Sequence, residues 1–451
     1  MTPEALEKLA WSMHSNEAPI PVDLQQGHAP PPIAVTYFGQ FVDHDLTFDS
    51  TPLRDAGSCE PIYTVNNRTP WLDLDHLYGD GPRSSRHAHL YQPDNASFRI
   101  GESAPGEEPF DIPFTDDGKL ALVDKRNGEN VMIRQIHAMF LKLHNVAVRE
   151  LARDLPSCER FDRARERVRW QYQWLVRSWY LREICHPEIY EAVIGKGDRR
   201  IDWVKVGFAV PVEFSLAAMR FGHSMVREEY QLNNTPVQKG GSGVIPLASL
   251  FGASNRGPLD RRLKIDWSLL STVGAKSIDT ALVEPLFELP DEHIDLYVRT
   301  PIPHPPNALP FRTLVRGAAV RLPTGQQVRD ALGESTIAKT PGEYEQVDPW
   351  APLHSVGLAE ETPLWYYILL EAQLGPGTRI PSATKIGGVG ATLGRVGSRL
   401  VAEVIEASLQ LDPTSFLRRN GPAWTPQPWP AADGKTIEIT SLSDVARVSA
   451  V

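Results

Sequence analysis

The chain has 451 residues, 41 % of them apolar, with 56 acidic side chains against 46 basic and a formal charge of −10. That balance, with no basic tract, excludes nucleic acid as the principal partner, and no apolar run is long enough to span a bilayer. Cys59, Cys158 and Cys185 are too few, and odd in number, for a disulfide framework.

The first residues, MTPEALEKLAWSMHSNEAP, lack a basic start followed by an apolar core. They do not read as a secretory signal, and the cytoplasm is the default expectation, non-classical export leaving no mark in a sequence. Residues 35–46, which overlap the stretch YFGQFVDHDLTFDS (37–50), read as a helix. Gln40 and His44, four apart, share one face of it, and Asp43 and Asp45 flank that face. Ionisable groups among Phe38, Phe41, Val42 and Leu46 cost free energy unless each finds a partner. A lone buried histidine is most simply satisfied by a backbone carbonyl, but Gln40, Asp43, His44 and Asp45 together are too many polar groups for one packed face.

In TPWLDLDHLYG, residues 69–79, oxygen-bearing Thr69, Asp73 and Asp75 alternate with other residues. In an extended loop alternation puts them on one side. Such hard oxygen ligands suit calcium, and the competing reading is a solvated acidic turn. Residues 131–154 space Ile133, Ile136, Phe140, Leu143 and Leu151 as a helix, with Arg126 and Glu129 just ahead as an i,i+3 pair. Residues 159–194 are helical with a break at Pro187. Further helices are expected over 212–226, where His223 stands on an apolar segment, over 363–373 and over 396–410. HAPPPIAV, KGGSG, IPHPPNALP and AWTPQPWPAADG are connectors, and GGVGATLG (387–394) is a turn, since no strand precedes it. Period-2 alternation is scarce. The expected architecture is mainly α, one helical domain with long ordered loops and few short strands.

FGQFVDHDLTF, residues 38–48, resembles the distal-haem-helix motif of the peroxidase–cyclooxygenase superfamily, the animal-type haem peroxidases. Further segments match in the same order from about residue 35 to residue 410. The resemblance implies an N-terminal extension over 1–34, a haem peroxidase domain over 35–420 and a C-terminal tail over 421–451. It implies haem b and Ca²⁺ as cofactors, with His44 as the distal catalytic histidine and Gln40 as the holder of a distal water or halide. The loop TPWLDLDHLYG resembles the family's calcium loop, which makes Asp45, Thr69, Asp73 and Asp75, with the carbonyl of Trp71, the implied ligands. The family often has Ser where Asp75 stands.

VDKRNGENVMIRQIHAMFLKLHNVAVREL (123–151) resembles the segment whose arginine lies over the distal haem face, here Arg126. Its glutamate, here Glu129, and Asp43 match the two carboxylates that can be esterified to haem methyls, so covalent attachment is open to this chain. Asn130 stands where a mammalian subgroup has a sulfonium-forming methionine, so that link is not expected, and His137 and His144 are expected to be structural. In MRFGHSMV (219–226) His223 matches the proximal iron ligand and Arg220 an arginine near a haem propionate. Cyclooxygenases and fatty-acid α-dioxygenases carry a radical-forming tyrosine at the position of Arg220. RTLVRGAAVRLPTGQQVRDAL (312–332) places Gln326 where the family has a proximal asparagine, with Arg329 as another propionate arginine. Gln326 is a departure that leaves its oxygen available as an acceptor for the His223 N–H. PLWYYILLEA and LGRVGSRLVAEVI resemble C-terminal helices of bacterial members.

The implied activity is reduction of hydrogen peroxide coupled to oxidation of halide, thiocyanate or small organic donors. Two alternatives remain open at this point: a haem fatty-acid oxygenase of the same superfamily, and a calcium-stabilised binding protein without catalysis.

Overall fold

Apolar periodicity becomes helix along most of the chain. The computed structural model describes residues 1–14, 30–49, 66–102, 108–151, 153–234, 243–254, 257–289, 307–335, 350–374, 390–431 and 434–450. The principal helices are α1 (Pro3–Trp11), α2 (Ile33–Leu46), α3 (Val131–Val146), α4 (Ser157–Leu175), α5 (Leu309–Ala319), α6 (Gly325–Leu332), α7 (Leu364–Leu374), α8 (Arg395–Leu411) and α9 (Leu442–Ser449). Strands are confined, among the described residues, to two antiparallel pairs: β1 (Glu229–Gln231) with β2 (Val244–Pro246), and β3 (Trp429–Pro430) with β4 (Thr436–Ile437). This is the expected mainly α fold. No helix among the described residues is long and apolar enough to cross a membrane.

α2 is central because it is apolar almost all round. Every residue from Ile33 to Leu46 is buried except Gln40 and Asp43. Those two lie three apart, on one side of a helix, so they form the one open stripe of α2. The rest packs against α3 and against the segment 218–225. Phe41 stacks on Phe140 of α3, with ring centroids 4.9 Å apart, and Phe38 meets Tyr172 of α4 edge-on at 6.0 Å. Such aromatic pairs add about 1 kcal/mol each beyond the area they bury. α7 covers the other side of 218–225 and in turn packs on α6 and α8, while α9 lies along α3.

Three expected elements are realised differently. The 159–194 helix runs from Ser157 to Ile184 before the break at Cys185, and includes a π turn over Val176–Tyr180. The 212–226 segment is not one helix. It is α-helical over Val212–Leu216, turns at Ala217 (φ −135°, ψ −64°), and continues as a 3₁₀ helix over Ala218–Met225. In 3₁₀ geometry residues three apart eclipse, so Arg220 and His223 project side by side. The 69–79 stretch is not extended throughout. Leu74 adopts a left-handed conformation (φ 60°) and starts a short helix over Asp75–Tyr78, so a turn rather than strand alternation gathers the oxygen ligands. GGVGATLG is described only from Gly390, where it forms a turn, while most of KGGSG and of IPHPPNALP lies outside the described residues.

Gly39 lets α2 approach that π turn. A Cβ there would stand 2.6 Å from the Tyr180 hydroxyl oxygen and 2.9 Å from its Cε2. Tyr180 is itself fully buried and packed edge-on against Phe38, so it has little room to yield. Gly39→Ala should lower stability by about 1–3 kcal/mol, read as a lower midpoint in denaturant unfolding. An unchanged midpoint would show that Tyr180 is free to move.

Candidate active site

His44 sits near the end of α2, buried beneath the open stripe. Its Nδ1–H donates to Asn127 Oδ1 at 2.8 Å. Burial and the nearby Arg126 charge push its pKa down to about 3, so the ring is neutral at ordinary pH. Asn127 belongs to a 3₁₀ turn over Lys125–Gly128 that Asp124 caps by accepting from the Arg126 N–H at 2.9 Å.

Arg126 binds Asp124 through Nε (3.1 Å) and Nη2 (2.7 Å). The same Nη2 donates to the backbone carbonyls of His44 (3.1 Å) and Thr47 (2.7 Å). The guanidinium also lies over the Phe48 ring, 4.8 Å from its centroid. Asp124 accepts from Arg68 as well. Burial opposes ionisation of Asp124, but Arg126 and Arg68 outweigh it and hold the carboxyl below the usual carboxylate range.

Gln40 uses its carboxamide locally: Nε2 donates to Glu129, and Oε1 accepts from Asn130 Nδ2 at 3.2 Å. Asn130 also caps α3, its Oδ1 accepting from the N–H groups of Met132 and Ile133. Burial pushes Glu129 up to about 7 and raises Asp43 too. Asp43 accepts from the Thr47 hydroxyl at 3.0 Å. Gln40, Asp43 and Glu129 therefore cluster around the open stripe.

On the 3₁₀ helix packed against α2, His223 is half-buried, and its Nδ1 is buried without a hydrogen-bond partner. Burial and the adjacent Arg220 depress its pKa to about 3. Trp365 of α7 approaches the His223 ring edge-on at 6.5 Å and donates its indole N–H to the Arg220 carbonyl at 3.1 Å. Arg220 is lowered to about 10 by burial and by Arg316. Arg316 lies in α5 and is paired with Asp49.

The available oxygen of Gln326 is not offered to His223. Gln326 Nε2 donates to the Ala359 carbonyl (2.8 Å) and Thr362 Oγ1 (3.0 Å), while its Oε1 accepts from the Thr362 N–H (3.0 Å). The longer side chain reaches the 359–362 segment and fastens α6 to it. Arg329 is ion-paired with its exposed neighbour Asp330 at 2.7 Å.

The third cluster joins Asp45, Asp73 and Asp75. Asp45 Oδ1 accepts from His76 Nδ1 at 3.1 Å, and its Oδ2 is buried without a partner. Ligand atoms of Asp45, Asp75 and His76 lie within 4.8 Å of one another. Thr69 Oγ1 donates to Asp73 Oδ2 at 2.9 Å, and the Asp75 N–H to Asp73 Oδ1 at 3.0 Å. Trp71 stacks on Phe208 and donates its N–H to Thr69 Oγ1 at 3.4 Å. Burial, then mutual repulsion, pushes Asp73 up to about 6 and Asp75 to about 7, and burial pushes Asp45 to about 7. Arg68 Nη1 donates to Asp75 at 3.0 Å. Crowded carboxylates with an orphaned buried oxygen fit a hard cation.

Asn127, Asp124, Arg68, His76 and Arg316 belong to these clusters but do not stand out in the sequence. Asn130 does carry a signal, as an amide directly before an apolar helical run.

Residues 53–288, just over half of the chain, match the family model described as animal haem peroxidase. The chain belongs to that family, within the peroxidase–cyclooxygenase superfamily of haem oxidoreductases. Among solved structures it is similar to peroxidase A from Dictyostelium discoideum (TM-score 0.63, 15 % identity, covering 100 % of this chain and 89 % of that one). It is also similar to the fatty acid alpha-dioxygenases of Oryza sativa (TM-score 0.62, 12 % identity, 91 % of this chain, 73 % of that one) and Arabidopsis thaliana (0.54, 14 %, 91 % and 69 %). At these identities the likeness shows a shared fold. No curated protein sequence matches the chain.

Asp124 balances two guanidiniums and caps the 125–128 turn, at 3 % side-chain exposure. Asp124→Ala should cost about 3–5 kcal/mol, the loss typical when a buried ion pair loses one partner. Urea unfolding measures it, and a loss below about 1 kcal/mol would contradict the pairing described.

Proposed function

We propose that this chain is a haem-dependent peroxidase that reduces hydrogen peroxide and oxidises halide, thiocyanate or small organic donors. The observation that carries the reading is a neutral buried imidazole, His44, beside the fixed charge of Arg126 and under the one open stripe of α2. A base must be unprotonated to act, and a charge fixed beside it in a water-poor site contributes several kcal/mol to stabilising developing negative charge. Arg220, where the lipid dioxygenases of the superfamily carry a tyrosine, favours peroxidase over fatty-acid oxygenase.

The residues present fit haem. His223, half-buried on the segment packed against α2, would hold the haem iron in this reading. Arg220 would supply positive charge for the propionates, with Arg316, paired with Asp49, and Arg329, paired with Asp330, as further cations. Asp43 and Glu129 are the carboxyls available for ester links. Haem iron, when bound, supplies the electrons that cleave the O–O bond. His44 would take a proton from one oxygen of hydrogen peroxide and return it to the other, which would depart as water. Arg126 stabilises negative charge on that departing oxygen. Gln40, held by Glu129 and Asn130, lies four residues before His44, where a water or halide would meet it. His44→Ala should leave haem bound, with its Soret band, and slow the peroxide reaction at least about 100-fold in stopped-flow. Parent rates in that variant, or oxygen uptake with a long-chain fatty acid in the absence of peroxide, would overturn the reading.

In the same reading Asp45, Thr69, Asp73, Asp75 and the Trp71 carbonyl hold calcium. Bound Ca²⁺ would tie the end of α2 to the 69–79 loop and orient His44. A ligand that binds only the native state stabilises it by about 2.7 kcal/mol at a hundred times its dissociation constant. Without the ion, the folded carboxyls bind protons more tightly than the unfolded ones. Stability should then fall as pH rises from about 4 through about 7. Calcium should restore it at the upper end. Chelation at pH 8 is therefore expected to lower the thermal midpoint and shift the Soret band. No change, with no calcium by elemental analysis, would remove this site.

A further inference from the structure

Three buried polar side chains stand in line beside the open stripe. His44 Nδ1 meets Asn127 Oδ1 at 2.8 Å, and Asn127 Nδ2 meets His137 Nδ1 at 3.0 Å. All three are at least 96 % buried by surface, at 4 %, 0 % and 2 % exposure, so water cannot substitute for a missing partner. An amide offers a lone pair at one end and N–H at the other. The two imidazoles it bridges must therefore present opposite faces. Opposite Oδ1, His44 carries its proton on Nδ1, leaving a lone pair on Nε2. Opposite Nδ2, His137 presents a bare Nδ1 and carries its proton on Nε2. Turning the amide over would reverse both tautomers together.

We propose, on the peroxidase reading, that Asn127 is a positioning residue that holds His44 in its Nδ1–H tautomer, so that Nε2 is the proton acceptor, with His137 receiving the other end of the amide. Tautomer, not charge, is the quantity the amide controls. In the opposite tautomer Nε2 would carry hydrogen and could not take the peroxide proton. Asn127 adjoins Arg126, so one short turn presents both the distal charge and the device that orients the distal base.

The test separates proton transfer from ligand access. Hydrogen cyanide must surrender a proton to bind haem iron, and carbon monoxide has none. With haem-loaded protein at one fixed pH, Asn127→Leu should slow cyanide association and the peroxide reaction at least about tenfold, with carbon monoxide association unchanged. Asn127→Asp keeps an acceptor for the His44 Nδ1–H, and His137 can shift its own proton to Nδ1 to donate to it. That variant should stay within about threefold of the parent for cyanide, since the wanted tautomer is still the one held. Parent cyanide and peroxide rates in Asn127→Leu, or an Asn127→Asp as slow as Asn127→Leu, would overturn the proposal. If Asn127→Leu does not fold, Asn127→Ala replaces it, because it removes the amide from His44 Nδ1 without adding bulk. Slowed cyanide with parent carbon monoxide binding supports the proposal there, and parent rates for both overturn it. His44→Ala is slow with cyanide and peroxide whatever Asn127 does. Parent rates in His44→Ala therefore sink the peroxidase reading, whereas parent rates confined to the Asn127 variants sink only this inference.

Discussion

The arrangement depends on one buried carboxylate. Asp124 accepts from Arg68 and from Arg126, and each guanidinium carries the linkage onward: Arg126 to the carbonyls of His44 and Thr47, Arg68 to Asp75. Three segments remote in sequence, at 44–47, 68–75 and 124–129, are thereby held to one point. Removing two guanidiniums and a carboxylate from water costs several kcal/mol per ion unless they are closely paired. Here Arg126 shares Nη2 between a carboxylate and two carbonyls, which are acceptors the end of α2 would otherwise leave over. The same contacts that offset desolvation thus terminate the helix and fix the backbone of His44.

Around that point, helix burial decides where chemistry has room. α2 is packed on all sides but one, so an added polar group is tolerated only along Gln40 and Asp43. α3 begins where Asn130 caps it, and the cap's free amide end reaches back to Gln40. The 3₁₀ geometry of 218–225 aligns Arg220 with His223. The open stripe, the cap and the tightened helix are backbone-level facts, and they place the ionisable groups more firmly than any pairwise attraction between them.

Much of this was legible in the sequence, and what was not has physical reasons. Helix α3 follows apolar spacing, whereas α2 and α7 are buried nearly all round and show in the sequence as apolar runs rather than as a period. The 212–226 segment defeats the same rule: it is split at Ala217 into five α-helical and eight 3₁₀ residues, each too short to establish a period. The 69–79 loop was read as extended because alternation of oxygen-bearing residues resembles a strand, whereas a left-handed Leu74 was invisible. Gln326 was placed beside His223 by position in a motif. Its actual partners, Ala359 and Thr362, lie more than thirty residues away and could not be seen locally. Arg68, Asp124 and Arg316 escaped for the same reason, since nothing in a string of residues marks which charges will meet.

The π turn at Val176–Tyr180 bears on how this architecture is assembled. Tyr172 and Tyr180 both meet Phe38 of α2 edge-on, at 6.0 and 5.9 Å. In an uninterrupted α-helix, side chains eight positions apart point roughly 80° away from each other, at about 100° per residue. Absorbing one surplus residue in a wide turn cuts that divergence to roughly 20°. A one-codon insertion accommodated without breaking the helix is thus enough to swing a second aromatic ring onto the same neighbour, and re-aiming by insertion is a route that substitution alone cannot reproduce.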